Sequence, residues 1–176
     1  VTPTRDDYPA ARVTTLRRPA PYRLTHGKRN PIAAWLDKLG LFGKRSHEKF
    51  VPAEVFALPN DQVALFLRHL WATDGSVRWD EKVGQGRVYY ASTSRQLVDD
   101  VRLLLLRFGI ASNIYRAKKA GYRDSWHLAI SGAESQCRFL GPIGVHGARG
   151  VAAKEVLAKL QGLVRNPNAD TVPAAV

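Results

Sequence analysis

The middle of the chain opens with apolar residues at helical spacing. Val63, Phe66, Leu67 and Leu70 occupy positions i, i+3, i+4 and i+7, which places their side chains on one face of a helix. A stripe of this kind is typical of a helix that packs against a core. The pattern predicts a helix over residues 60–73.

Both ends of this helix carry sequence signals. Asn60 and Asp61 are favourable at a helix start, and glycine is common just beyond a helix end, which places the end at Asp74 and Gly75. Residues 76–79 then alternate like a strand. A helix C-terminus carries partial negative charge, so a carboxylate there favours a cation beside it. Asp74 and the carbonyl oxygens around it therefore suit a hard divalent metal.

The rest of the chain continues this alternation of helical and extended patterns. Apolar periodicity with glycine, serine and proline punctuation predicts helices over 31–39, 94–108, 132–140 and 152–163, and strands over 77–79, 87–92, 110–116 and 125–130. The first hairpin turns at 81–86, the second has its tip at 118–123, and a break is expected at 141–144. From residue 62 onward the order is helix, two strands, helix, two strands, helix, which predicts an α+β fold with a curved antiparallel sheet.

Composition divides the chain into three parts. Residues 1–30 are rich in proline and arginine, so we expect either a basic arm or the end of a preceding repeat, with possible edge strands at 12–16 and 22–25. Residues 31–163 form the predicted domain, and residues 164–176 are expected to be a linker or tail.

Net charge and cysteine content limit the classes of function that this chain can have. The 176 residues are 45% apolar, enough for a core, and the formal net charge is +12, for which nucleic acid is the natural partner. The single Cys137 excludes an internal disulfide framework and a multi-cysteine zinc site. No apolar run of about 18 residues predicts a membrane span. We expect a cytoplasmic, nucleoid-associated protein.

The run LRHLWATDG, residues 67–75, resembles the signature helix of the LAGLIDADG homing endonucleases. It retains Leu67, Leu70, Asp74 and Gly75 of that motif. The helix–strand order from residue 62 onward is similar to the half-saddle of this family, and the resemblance extends over residues 31–163. The resemblance implies a DNA-cleaving enzyme in which two signature helices each present an acidic residue to a metal.

Two features depart from the family pattern. His69 stands where the family often has glycine or alanine, and one signature motif is found instead of two. The partner is therefore expected to be a second LAGLIDADG repeat, either a missing half or a homodimer mate. The segment Lys49–Pro52 is similar to the Lys-x-x-Pro element of endonucleases in bacterial inteins, and the host could be a replicative DNA helicase. The intein splicing residues are not found, so we expect that this chain does not splice.

The resemblance implies a site for Mg²⁺ at the end of the signature helix. Asp74 and Gly75 are the expected metal ligands, and Asp74, His146 and Arg149 are the candidate catalytic residues. The structural alternative for Asp74 is a simple helix-ending turn. The functional alternative is a catalytically degenerate module that binds specific DNA sequences without cutting them; an RNA-binding protein is favoured by charge alone.

The two predicted hairpins concentrate basic and aromatic residues that suit double-stranded DNA. A two-stranded ribbon fits the major groove, where arginine can meet phosphates or guanine edges. Alternation along the first hairpin directs either Tyr89 or Tyr90 outward. The predicted DNA-binding residues are Ser76, Arg78, Arg87, Tyr89, Tyr115, Arg116, Lys118, Lys119, Tyr122 and Arg123.

Overall fold

The computed structural model describes residues 30–118 and 120–163, which fall into two compact units divided after Gly43. The predicted arm, its edge strands, the predicted tail and Lys119 lie outside the described residues. The predicted domain boundaries at 30/31 and 163/164 stay predictions.

The first unit contains helix α1, Pro31–Lys38. Asn30 caps it, because its Oδ1 accepts a hydrogen bond from the Ile32 amide at 2.9 Å, and proline is favourable in the first turn. Gly40 follows with φ +70. Ile32 and Trp35 are 65% and 59% exposed, so the predicted apolar stripe is not buried.

The second unit contains the remaining elements. Its helices are α2 (Ala53–Phe56), α3 (Asn60–Asp74), α4 (Arg95–Leu106), α5 (Ala133–Arg138) and α6 (Ala148–Gln161). Its strands are β1 (Gly75–Asp80), β2 (Gln85–Ser92), β3 (Ser112–Ala117) and β4 (Ser125–Ile130). A 3₁₀ turn, Ser46–Glu48, precedes α2, and a π-helical turn, Phe139–Ile143, follows α5. No helix in these ranges is long and apolar enough to cross a membrane.

The described strands form one antiparallel sheet in the order β1-β2-β4-β3. The first hairpin, β1–β2, and the second hairpin, β3–β4, are joined through β2 and β4, where Val88 lies opposite Ile130. The sheet confirms the prediction that both hairpins belong to one α+β fold of the half-saddle type.

One face of the sheet is buried against the helices. Side chains alternate between the faces of a strand, and Val77, Val88, Tyr90, Leu128 and Ile130 all lie on the buried face. They join a core with the apolar sides of α3 and α4, including Val63, Leu67, Trp71, Val98, Val101, Leu104 and Leu105. Burial of each large side chain contributes about 1.5–3 kcal/mol. The opposite face is left uncovered by these helices and is called the open face below.

Helix α3 begins at Asn60, as predicted, but the Asn60 side chain does not cap it. Pro59 occupies the N-cap position, and the Asn60 side chain accepts a hydrogen bond from Arg107 Nη2 at 2.7 Å. The same guanidinium donates to the carbonyl oxygens of Phe56 and Leu58. A charged donor outcompetes the local cap because charge-assisted hydrogen bonds are stronger than neutral ones.

The segment between α5 and α6 also differs. The predicted break at 141–144 is helical through Ile143, because the Gly144 amide donates to the Phe139 carbonyl at 2.8 Å and closes a π-turn. Gly144 and Gly147 then adopt φ +66 and +70, which glycine accommodates without strain. This compact reversal lets α6 begin at Ala148, four residues before the predicted start at 152.

Candidate nucleic-acid interface

Helix α3 runs into β1 without a connecting loop. Gly75 follows Asp74 with φ −82 and ψ 166, which is ordinary extended backbone, so its conformation alone does not require glycine. Packing does, because a Cβ at this position would lie 2.3 Å from Trp71 Cδ1 and 2.6 Å from the Trp71 carbonyl oxygen. The close approach of strand and helix thus fixes Asp74 at the junction.

The Asp74 carboxylate is exposed. The Thr73 hydroxyl donates to the Leu70 carbonyl at 2.9 Å and lies 3.4 Å from Asp74 Oδ2. Asp74 makes no ion pair among the described residues. The pKa of Tyr90 is raised above its usual range, mainly by burial of this side chain and in second place by the negative charge of Asp74. The end of α3 is therefore a region of negative potential that faces solvent.

The oxygen atoms at this junction fit part of a Mg²⁺ site. Carboxylate and carbonyl oxygens are the ligands that this ion prefers, and it is commonly held by one or two carboxylates together with substrate phosphates. Within residues 30–118 and 120–163, no group of three histidine, cysteine, aspartate or glutamate side chains is arranged to hold a metal. Asp74 could supply one carboxylate, and Gly75 is buried beside it.

The segment after α5 lies along α3 and brings both basic catalytic candidates to that helix. His146 Nε2 and His69 Nδ1 are 2.9 Å apart, and the two rings meet edge to face. Arg149, in the first turn of α6, donates a hydrogen bond to the carbonyl of Ala72, in the last turn of α3. No direct contact joins Asp74 to His146 or Arg149 in the described structure, and their catalytic role stays a prediction.

Arg68 adds a third link between the same segments. Its Nε donates to the Ile143 carbonyl at 2.5 Å, and its Nη2 lies 3.4 Å from the Pro142 carbonyl. His69 is the residue that departs from the family motif. It packs against His146 of the same chain, and the two ring centroids are 4.6 Å apart. At this point of α3 the molecular surface therefore consists of two imidazole rings, whereas a small residue would leave it flat.

The open face of the first hairpin carries arginine side chains. Arg78 on β1 and Arg87 on β2 lie directly opposite each other in the strand register. Arg87 Nε donates to Asp80 Oδ2 at 3.2 Å, whereas Arg78 has no ion-pair partner among the described residues. Like charges directly opposite in a sheet are destabilising, so this pair suits an anionic ligand. Ser76 lies on the same face by strand alternation.

The open face also carries aromatic rings, on β2 of the first hairpin and on both strands of the second hairpin. Tyr89 of β2 stacks on His127 of β4, with centroids 5.3 Å apart and an interplanar angle of 15°. Tyr115 of β3 lies 5.2 Å from the same imidazole, and its hydroxyl is 3.4 Å from His127 Nδ1. These three residues are called the ring ladder below. Tyr90 is buried, which decides that Tyr89 is the outward tyrosine.

The basic residues of the second hairpin are placed differently from those of the first. Arg116 lies in the register opposite Trp126, and strand alternation puts it on the helix side of the sheet. Its guanidinium binds the Asp124 carboxylate and lies 5.9 Å from the Trp126 ring centroid. The predicted DNA-binding residues Lys118, Tyr122 and Arg123 are exposed at the tip. Arg116 therefore does not share the open face with Arg78 and Arg87.

Sequence reasoning missed His127 and Asn113. Both lie on the open face, and Asn113 lines a cleft of about 560 Å³ together with Arg87, Tyr89 and Tyr115. The histidines show no ligand spacing in the sequence, so His127 carried no motif signal. Alternation along β4 could have placed His127 on the face opposite to Leu128, but its position beside Tyr115 depends on the register between the strands.

Comparison with known proteins agrees with this geometry. Residues 61–144 match the family model of the LAGLIDADG-like domain, which spans α3, the whole sheet and the π-turn. The chain carries a LAGLIDADG-like domain. The signature-helix resemblance is confirmed, and the domain is a DNA-binding module of the homing-endonuclease type. Domains of this family bind DNA and pair with a second domain or a dimer mate.

Parts of replicative DNA helicases and of a RecA protein are similar to most of this chain. The replicative DNA helicase DnaB of Synechocystis sp. is 41% identical over 161 residues, which is 90% of this chain and 18% of that protein. DnaB of Rhodothermus marinus is 46% identical over 156 residues, 87% of this chain and 17% of that protein. Protein RecA of Mycobacterium tuberculosis is 30% identical over 164 residues, 84% of this chain and 21% of that protein. The chain thus spans about a fifth or less of these relatives.

Proposed function

We propose that this chain is the endonuclease domain of an intein, inserted in a replicative helicase, and that it hydrolyses phosphodiester bonds of double-stranded DNA at a specific site. The observation that carries the proposal is the junction at Asp74. The carboxylate ends α3, and the next residues of β1 place Ser76 and Arg78 on the open face. A DNA duplex bound to the open face would place its phosphate backbone against β1, the edge strand that begins directly after Asp74.

The residues divide the work by their chemistry. Arg78 and Arg87 would bind phosphates or guanine edges and hold the duplex in register. Asp74 would hold Mg²⁺ together with DNA oxygens, and the bound ion supplies charge stabilisation and a more acidic water. Arg149 keeps the last turn of α3 in place through the Ala72 carbonyl. A second signature helix, from another repeat or a second copy of the chain, would supply the other carboxylate.

The first test is cleavage of a duplex that carries the uninterrupted insertion site of the helicase gene. Asp74→Asn should abolish cleavage in Mg²⁺ and leave DNA binding in Ca²⁺ largely intact, because the change removes a metal ligand and one negative charge. Asp61→Asn, at the other end of the same helix, is the matched control and should cut normally. Cleavage by folded Asp74→Asn at the wild-type rate would remove Asp74 from the chemistry.

A second candidate function is a catalytically degenerate module that binds a specific DNA sequence. The His69–His146 pair favours it, because two imidazoles occupy the surface of α3 at the motif position where a second helix often approaches closely. Sedimentation of the chain on its target duplex distinguishes the two functions. One copy per site with no cleavage supports the degenerate module, whereas two copies per site with cleavage support the enzyme.

A further inference from the structure

The ring ladder places one imidazole between two phenol rings on the face proposed for DNA. His127 belongs to β4, the strand between β2 and β3, and each neighbouring strand contributes one tyrosine. The centroid distances of 5.3 and 5.2 Å are those of aromatic pairs in contact. The hydroxyl of Tyr115 is 3.4 Å from Nδ1. The other nitrogen, Nε2, makes no hydrogen bond among the described residues.

The groups that share the open face with His127 are mostly uncharged. They are Arg87, Tyr89 and Ala91 on β2, Asn113, Tyr115 and Ala117 on β3, and Ser125 and Ala129 on β4. On β1, Ser76, Arg78 and Asp80 face the same way, and the Asp80 carboxylate is paired with Arg87. Partial burial lowers the pKa of His127. The imidazole is therefore mainly neutral in the free protein at neutral pH, with no unpaired carboxylate on the described strands to hold a proton.

A DNA duplex would reverse this preference. The phosphates bring a strong negative potential, and a nearby negative charge favours the protonated form of histidine. An imidazolium has a donor at both nitrogens, so Nδ1 can donate to the Tyr115 hydroxyl while Nε2 donates to a base-edge or phosphate acceptor. The electron-rich faces of the tyrosine rings attract a cation placed against them.

We propose that His127 takes up a proton when double-stranded DNA covers the open face, so that the domain binds DNA more tightly as the pH falls. The inference rests on the proposed DNA-binding role of this face and adds a titratable contact to it. It assigns the ring ladder a role separate from that of Arg78 and Arg87, whose charge does not change near neutrality.

The test measures the affinity of the full chain for a mixed-sequence duplex at constant low ionic strength between about pH 5.5 and pH 8. One linked proton allows the dissociation constant to fall by up to about tenfold per pH unit. His127→Gln should reduce this dependence strongly, because glutamine does not titrate. His47→Gln, a histidine outside the sheet, is the matched control and should keep the wild-type dependence.

A second pair of variants tests the rings. Tyr89→Phe keeps the aromatic face and should keep most of the pH dependence, whereas Tyr89→Leu should lose part of it. In parallel, NMR titration of the His127 Cε1 proton should show a higher pKa in the complex than in the free chain. These readouts do not depend on cleavage.

The outcomes separate this inference from the proposed function. Tight binding with no pH dependence, or an equal dependence in wild type and His127→Gln, overturns the proton-linked contact and leaves DNA binding in place. Absence of DNA binding at every pH overturns both. An unchanged His127 pKa on addition of DNA likewise excludes the proton uptake.

Discussion

The two hairpins share one strand geometry and present different chemistry on the open face. In the first hairpin, Arg78 and Arg87 face outward from opposite register positions. In the second, Tyr115 and His127 take the equivalent outward positions, while Arg116 turns to the helix side. The net charge of the chain therefore does not indicate how the charge is distributed. Tyr89, on β2 of the first hairpin, joins the aromatic group. The open face thus has a charged half, formed by Arg78 and Arg87, and an aromatic half, formed by Tyr89, Tyr115 and His127.

The difference suggests a division between affinity and discrimination. Arginines bind phosphates of any sequence and make binding salt-dependent, since each neutralised phosphate releases counterions. Rings and amides contact bases with little change in salt dependence. The first hairpin would then supply much of the affinity, and the second would help to select the sequence.

The largest expected effect concerns how the first hairpin is attached to α3. Gly75→Ala would force a Cβ to within 2.3 Å of the Trp71 ring, and backbone of the same residue lies 2.6 Å away. The expected loss is about 3 kcal/mol or more of unfolding free energy, because neither neighbour can move without disturbing the core. Denaturant unfolding measures it. Gly141→Ala is the control, since its Cβ would meet nothing within 4 Å.

Wild-type stability in Gly75→Ala would show that the helix–strand junction can shift, and Asp74 would then not be fixed at the edge of the open face. The strands β3 and β4 contain no glycine, so the second hairpin has no equivalent weak point. Among the described strands, only those of the first hairpin contain glycines that lack room for a Cβ, namely Gly75 and Gly86.

The parts of the fold that local patterns determine were predictable from sequence. The α3 stripe and the strand alternation are confirmed. The helix predicted to begin at residue 94 is confirmed as well, and Ser94 caps it, with its Oγ accepting from the Leu97 amide at 3.1 Å. The partner of Asn60 was not predictable, because Arg107 is distant in sequence and reaches it only in the folded chain. The preference of asparagine for capping a helix is weaker than its hydrogen bond to a charged guanidinium, so the sequence near Asn60 does not reveal the partner.

The candidate site was predictable only in part, for the same reason. Asp74 and Arg78 follow from motif and alternation. The ladder position of His127 depends on the register between β3 and β4, which no local pattern fixes. Alternation along β3, by contrast, could have placed Arg116 on the side of Ile114 and opposite to Tyr115. The approach of His146 and Arg149 to α3 depends on a π-turn that contains Pro142, where the sequence predicts a break.

The second effect in size concerns the charged half of the open face. Arg78→Ala should weaken DNA binding about tenfold and lower the slope of log affinity against log salt by about one, as expected for a lost phosphate contact. The same change should slightly raise the stability of the free protein, by a few tenths of a kcal/mol, because it removes like charges from opposite register positions. Tyr115→Phe should leave the slope unchanged. A loss of stability in Arg78→Ala would point to a structural role for this arginine instead.

The third effect concerns the basic residues of the second hairpin. Charge reversal at Lys118 and Lys119 should weaken DNA binding and flatten the salt slope, since both belong to the predicted basic tip. Arg116→Ala should affect the slope much less, because its guanidinium is held by Asp124 on the helix side. Salt titrations of both variants measure the difference. An equal loss of slope would mean that DNA reaches both sides of the second hairpin, and the separation of the two faces would fail.

The smallest expected effect is the pH dependence of stability in the free protein. Burial holds the folded pKa of His127 below its ordinary value of 6.5, so the unfolded chain binds more protons in the interval below that value. The unfolding free energy contributed by this site should therefore decrease as the pH falls through 6.5 and reach its full value above it. Denaturant unfolding of wild type and His127→Gln at about pH 5.5 and pH 7.5 measures it, and the difference between the two pH values should be smaller in the variant. The sign is opposite to that expected for DNA binding, which strengthens as the pH falls. Lower pH should thus weaken the fold slightly while it strengthens the complex. A stability that rises on acidification through the His127 transition would show that the free ladder already prefers the imidazolium, and the aromatic half would then resemble the charged half before any DNA is bound.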